Sequence, residues 1–337
     1  MAAMTIQNYL GSAVRIPVFC RMVGSGASTL PKQKPAGLLT GILIAVLSMV
    51  LFSSTHSAVR MLSDTMSAFE IVFWRMAVSL LLILPYFAWK GFHRLKTVRP
   101  GLHAQRAAVN FAGMVLWFHA LGIVPLGKAV AIHFTLPLFV LVLAALVLQE
   151  KVGPRRIAAT AVGFSGMLVI LRPGIDAIGL PEAMILMSAL LYAATVIYLK
   201  NMVRTESPLA ITFYTNAFIC LLCVPPTIYF WVPPTVDDIL PIAIIGVLGM
   251  LAPLLFTMAL RSADASVIAP MDFLRLPFTA AIAFALFGEV PEIWVWIGGG
   301  IIFFSTWYIT MRESRLERAR RAREAASEAD LPGAGRP

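Results

Sequence analysis

The sequence predicts an all-α membrane protein of ten transmembrane helices arranged as two inverted five-helix repeats. Three observations lead there. The 337 residues are 59% hydrophobic and only 13% charged, with mean hydropathy +0.83. A soluble domain carries about 25% charged residues, so this chain lacks the polar surface a water-soluble body needs. Ten apolar stretches each approach the roughly 20 residues that a helix needs to cross about 30 Å of hydrocarbon. Shifting the chain by 139 residues also lays Ala120 to Glu150 on Ala259 to Glu289 without a gap.

In order, the spans are 36–59, 68–89, 103–122, 126–148, 155–171, 179–199, 208–230, 238–260, 264–287 and 293–311. Barrel strands would be about ten residues long with alternating polarity, whereas Leu136 to Leu148 is continuously apolar. Backbone groups without water must be satisfied within the segment, which a helix does. Connections such as Pro125-Leu126-Gly127 and Glu289-Val290-Pro291 are short and force neighbouring helices antiparallel.

Charge sets the orientation. With the N-terminus inside, 22 of the 27 Lys and Arg fall in inside segments, three (Arg60, Lys128, Arg172) outside, and two (Arg75, Arg275) within spans. Cytoplasmic loops are enriched in Lys and Arg, so both termini are expected in the cytoplasm and the net charge of +10 is topological. Nucleic acid is not an expected partner; the lipid bilayer is. Residues 1–35, with four basic and no acidic side chains, read as a flexible cytoplasmic lead-in, whose interruptions argue against a signal peptide. Residues 36–172 form the first repeat and 179–311 the second. Residues 312–337 form a charged cytoplasmic tail of helical style.

The shift by 139 pairs Phe134 with Phe273, Phe139 with Phe278 and Glu150 with Glu289. Both segments are the fourth span of a set of five. Because five is odd, the second set is upside down relative to the first, the architecture of secondary transporters.

The residues then meet a known pattern. Ser67-Ala-Phe-Glu70-Ile-Val-Phe-Trp-Arg75, Leu136-Pro137-Leu-Phe139 running to Gln149-Glu150, and Ala269-Pro270 running to Gly288-Glu289 resemble the drug/metabolite transporter superfamily, EamA type. The likeness covers residues 36–311 and looks most like the branch with S-adenosylmethionine carriers. The resemblance implies a secondary transporter of a small organic metabolite in a bacterial-type inner membrane. Two directions stay open: nutrient or cofactor import, of the S-adenosylmethionine or riboflavin type, and export of amino acids or drug-like metabolites. No G-x-x-x-x-G-K-[ST] loop is present, so direct ATP use is not expected. A membrane-embedded enzyme would need paired acids or a metal constellation, and a channel a repeated filter; neither pattern is found. No cofactor or metal is expected.

An ionisable group inside a span costs roughly 2.5 to 3.5 kcal/mol on insertion scales, so it normally faces a cavity or a partner. Arg75 and Arg275 are the expected anchors of a central cavity lined by spans two, three, four, seven, eight and nine. His133 and Asp272 are further polar candidates, and Trp74, Trp117, Phe134, Tyr214 and Phe273 are candidate walls for a planar or amphipathic solute. Each has a plain structural alternative. Arg75 can pair with Glu70, Asp272 and Arg275 can neutralise each other three residues apart, and the histidines and aromatics can simply pack. Glu70 and His119 are candidates for coupling, with protons the candidate ion. Glu150 and Glu289 read as caps or hinge residues. Pro137, Pro253, Pro270 and Pro277 fall within spans, where each removes a backbone bond and permits a bend. Cys220 and Cys223 are read as small packing residues, and glycine clusters at 163–166, 246–249 and 298–300 as close helix contacts.

Overall fold

The computed structural model describes residues 38–91, 95, 97, 99–147, 153–172, 179–202, 206, 208–262 and 268–329. The lead-in 1–35, Glu150 and everything after Ala329 lie outside the described residues. Among those described, the chain forms α1 (Leu38–Leu62), α2 (Ala68–Lys90), α3 (Pro100–Leu121), α4 (Leu126–His133), α5 (Leu136–Val147) and α6 (Pro154–Leu171). The second half forms α7 (Leu180–Met202), α8 (Pro208–Tyr229), α9 (Val236–Ser262), a 3-10 segment (Ala269–Leu274), α10 (Arg275–Phe287) and α11 (Ile293–Ala329). Seven stretches are long and apolar enough to cross a membrane, counting α4 and α5 as one. A shorter apolar helix at Ile157–Leu171, α3, and the 3-10 segment with α10 complete ten spans.

Local signals fix the ends. Ser67 caps α2, and Glu70 completes a capping box by accepting from the Ser67 backbone at 2.9 Å. Proline opens α3 and α6 at a position where its missing N–H costs nothing. Gly288 ends α10 at φ 69°, a left-handed conformation that suits glycine. The α11 helix runs past the span to Ala329, so the charged tail continues the helix as its composition predicts.

The prolines of spans four and nine mark local changes of winding: a turn interrupts span four, and span nine passes from 3-10 to α winding without a gap. Pro137 cannot donate to the His133 carbonyl, and Pro277 cannot donate to that of Phe273. In span four the chain turns at Phe134-Thr135, where the Thr135 hydroxyl bonds the Ile132 carbonyl at 2.8 Å. In span nine the tight 3-10 winding gives way to α10 at Leu274-Arg275. The same shift of 139 carries the turn in span four to within one residue of the change of winding in span nine. It also carries α2, α3, α5 and α6 to 207–229, 239–260, 275–286 and 293–310, close to the bounds of α8, α9, α10 and the start of α11.

Helix pairing obeys the same exchange. The α1–α9 contact is the counterpart of α7–α3, α2–α9 of α8–α3, and α1–α10 of α7–α5. The α2–α8 and α6–α11 contacts are each their own counterpart, and α4 meets α10 across the two halves. The described chain is therefore a pair of related halves joined along nearly every helix. Lipid is as apolar as leucine, so helices associate through close packing of small residues. At the α6–α11 seam, a Cβ added at Gly166 would lie 2.8 Å from the Gly298 carbonyl, and Gly298 faces Ile170 equally tightly.

Candidate functional site

The approach of α2 to α9 places Arg75. Gly246 and Gly249 lie one turn apart on α9, and a Cβ at Gly246 would run into Val78. That closeness lets Ser79 Oγ donate to the Gly246 carbonyl at 3.2 Å and Arg75 Nη2 to the Gly249 carbonyl at 3.3 Å. Pro253 sits four residues after Gly249 and has no N–H to offer it, so the proline frees the acceptor that the arginine uses. Arg75 Nη1 reaches Met114 Sδ at 3.4 Å, and the guanidinium stands 5.6 Å from the Phe118 ring centroid. Its Nε has no partner, and no carboxylate among the described residues pairs with it.

Arg275 has a different setting. It pairs with Asp272, one turn earlier, which is the mutual arrangement that their spacing predicts. Its guanidinium lies 4.4 Å from the Phe52 ring and 5.9 Å from that of Phe134. The Arg275 carbonyl accepts from Ser53 on α1 at 3.2 Å, and Thr279 donates to Ser53 at 3.0 Å.

Aromatic rings connect four helices at this depth. His56 of α1 meets Trp117 of α3 edge-on at 5.4 Å, Trp117 lies 4.3 Å from His133 of α4, and His133 meets Tyr192 of α7 at 5.5 Å. His56 Nδ1 and His133 Nε2 are buried with no hydrogen-bond partner. Unpaired buried polar atoms are rare in native proteins and call for a ligand, a water or a moving partner. Phe134 meets Phe273 at 4.5 Å with the rings tilted by 38°, and Phe273 meets Phe303 of α11 at 5.0 Å.

Other sequence candidates sit apart from these groups. The Tyr214 hydroxyl donates to the Leu95 carbonyl at 2.6 Å, and its ring lies 4.7 Å from His103, at the end of the bundle where Thr97 bonds Glu206 at 2.6 Å. Trp74 contacts Phe73 and Trp231, and its Nε1 is unpartnered. Glu70 turns away from Arg75: it is fully buried, and its carboxylate accepts from Ser67 and from Val232 N, the latter at 2.6 Å. His119, at the opposite end of α3 from His103, is exposed on a groove of about 470 Å³ beside Ser67 and Phe230. A second groove of about 470 Å³ runs between span nine and α11, with Phe273 in its wall. Glu289 accepts from Leu126 N at 2.8 Å and faces Arg60 at 3.4 Å, so it caps α4 from the other repeat. Pro137 and Pro277 flank the two changes of winding, Pro270 falls in the 3-10 segment, and Pro253 lies inside α9.

The structure brings in His56, already one of the few ionisable groups within a span, together with Ser53, and adds Phe52, Gly249 and Tyr192 to the candidates. The run Ser53-Ser-Thr-His-Ser57 inside an apolar span was the available signal for the first two. Nothing local marks Tyr192. Among the described residues no grouping of three or more His, Cys, Asp or Glu could hold a metal ion.

The chain is similar to known proteins along most of its length. The EamA-like transporter family profile matches residues 39–172 and again 180–311. The chain is 30% identical over 270 residues to an S-adenosylmethionine uptake transporter of Rickettsia bellii, covering 80% of this chain and 93% of that protein. It is 30% identical over 292 residues to a riboflavin transporter of Rhizobium johnstonii, covering 85% and 95%. A pseudopaline exporter of Pseudomonas aeruginosa is 28% identical, over 79% of this chain and 93% of that protein. A solved crystal structure shares the fold with a TM-score of 0.58 at 15% identity, covering 83% of this chain and 98% of its own.

Proposed function

The chain belongs to the EamA-like transporter family, and on that premise we propose that it carries a small organic metabolite across the bacterial inner membrane by alternating access, without direct use of ATP. It acts as a carrier and not as an enzyme, with both termini in the cytoplasm. The observation that carries this reading is the apposition, at Phe134 and Phe273, of two helices whose winding changes there, one from each repeat. Irregular winding at equivalent points gives each half a place to bend about a shared centre, which is what rocking of inverted repeats requires. Buried unpartnered atoms of Arg75, His56 and His133 supply polar groups around it.

Import of a nutrient or cofactor-like metabolite is the favoured direction, supported by the uptake transporters that the chain resembles. Export is the second reading, supported by the likeness to the pseudopaline exporter. Purified protein in proteoliposomes should show saturable uptake that accelerates when unlabelled solute is placed on the opposite side. Flux linear in concentration would favour a channel. Metabolite profiles of cells with and without the protein would name solute and direction together.

A further inference from the structure

We infer that the transported solute is a planar organic anion whose negatively charged group is held by Arg75. The inference rests on the carrier reading above and gives it a substrate class.

Three arginines are enclosed among the helices, and they are not equivalent. Arg106 lies in the first half of α3, where it donates to the Thr215 hydroxyl. Arg275 is neutralised by Asp272. Arg75 has only a thioether and a backbone carbonyl as polar partners, and neither cancels its charge. A guanidinium carries five N–H donors in a fixed fork that matches a carboxylate or phosphate. Two of its nitrogens have one partner each, and Nε has none. The other acidic groups nearest these helices are already occupied: Asp272 by Arg275, and Glu70 by Ser67 and Val232. A cation held at mid-span without a counter-charge is costly, so an anion that arrives with the solute would be strongly favoured there.

The setting of Arg75 is also specific. Gly249 leaves room for it, since a Cβ there would lie 2.6 Å from Nε, and Pro253 frees the carbonyl that orients it. Ring recognition follows from α3. Met114, Trp117 and Phe118 share one face of that helix and are all buried. The arginine that touches Met114 and Phe118 is thus within a helical turn of the Trp117 stack, where His56 Nδ1 and His133 Nε2 are free to bond ring heteroatoms.

The test is equilibrium binding to the full chain in nanodiscs, with ring-matched pairs of different charge: flavin mononucleotide against riboflavin, and indoleacetate against tryptamine. In the wild type the anion of at least one pair should bind about tenfold tighter or more than its partner. The preference should collapse in Arg75→Gln, partly return in Arg75→Lys, and weaken in Gly249→Ala, which keeps the charge but displaces it. Equal or reversed order in the wild type, binding of neither anion, or a preference that survives Arg75→Gln would each overturn the inference. If Arg75→Gln does not fold, the wild-type order and Gly249→Ala still decide. Saturable exchange of a cation without anion preference would sink this inference and leave the carrier reading intact. Anion binding without exchange would do the reverse.

Discussion

Phe134 and Phe273 occupy equivalent positions of the two repeats, and their rings meet 4.5 Å apart where span four turns and span nine passes from 3-10 to α winding. The relationship is symmetric in the rings and asymmetric around them. His133 precedes one ring and Asp272 precedes the other, while Arg275 stands only beyond Phe273. A shared aromatic hinge with unequal polar neighbours suits a carrier whose two open states present one pocket to two sides.

Removing either ring should therefore cost less stability than in a water-soluble core, because the transfer contribution is small where the unfolded reference is already in lipid. A loss of about 1–2 kcal/mol is expected for Phe134→Ala, from the cavity and the lost ring pair. The double variant Phe134→Ala/Phe273→Ala should fall short of additivity by about 0.5–1.5 kcal/mol, measured by reversible unfolding in mixed micelles. Strict additivity would mean the rings are neighbours without coupling.

Pro253→Ala restores an N–H that competes with Arg75 for the Gly249 carbonyl. We expect a chain that is more stable, by about 1 kcal/mol or more given the cost of an interior proline, and slower in transport. A stabilised variant with unimpaired exchange would show that the freed carbonyl has no functional part.

Glu289→Gln can still accept from Leu126 N but loses the charge that faces Arg60 and the start of α4. Both side chains of the pair are more than three-quarters shielded. The expected cost is about 0.5–2 kcal/mol, larger than for an open surface pair. A cysteine at Ser63 should label faster in this background, since the contact ties the two repeats together at that end. Unchanged labelling would assign Glu289 to capping alone.

Glycines of α11 separate into two kinds. Gly298→Val forces a side chain against Gly166 and Ile170, and should lose about 1–3 kcal/mol through overpacking. Gly300→Ala meets nothing within 4 Å and should be neutral or slightly stabilising. Thermal unfolding in detergent distinguishes the two, and equal losses would argue against a close α6–α11 seam.

Much of this architecture was legible from the sequence because hydrocarbon imposes simple demands. Length and apolarity located the spans to within a few residues, and the tail helix followed from its composition. The shift of 139 already paired Phe134 with Phe273, although it could not say that the rings touch. Changes of winding were less visible: Pro137 and Pro277 announced a bend, but whether a proline kinks or interrupts depends on whether neighbours satisfy the freed carbonyls. Side-chain partners were the least legible. Glu70 lies five residues from Arg75 in sequence, yet capping and the Val232 N–H claim it, whereas Gly249, 174 residues away, supplies the actual partner. Tyr214 shares the repeat position of Arg75, and inversion sends it to the other end of the bundle, beside Leu95 and His103.

The central claim is that the two halves open alternately at opposite ends around the Phe134–Phe273 contact. Its most direct test is pulsed electron spin distance measurement in nanodiscs, with the native cysteines replaced and label pairs placed across the repeats. Exposed Ile123 and Val236 report on one end, and exposed Trp89 and Leu316 on the other. The account predicts two populations in which one distance lengthens as the other shortens, with their balance moved by added solute. Distances that stay fixed at both ends, or that lengthen together, would contradict it.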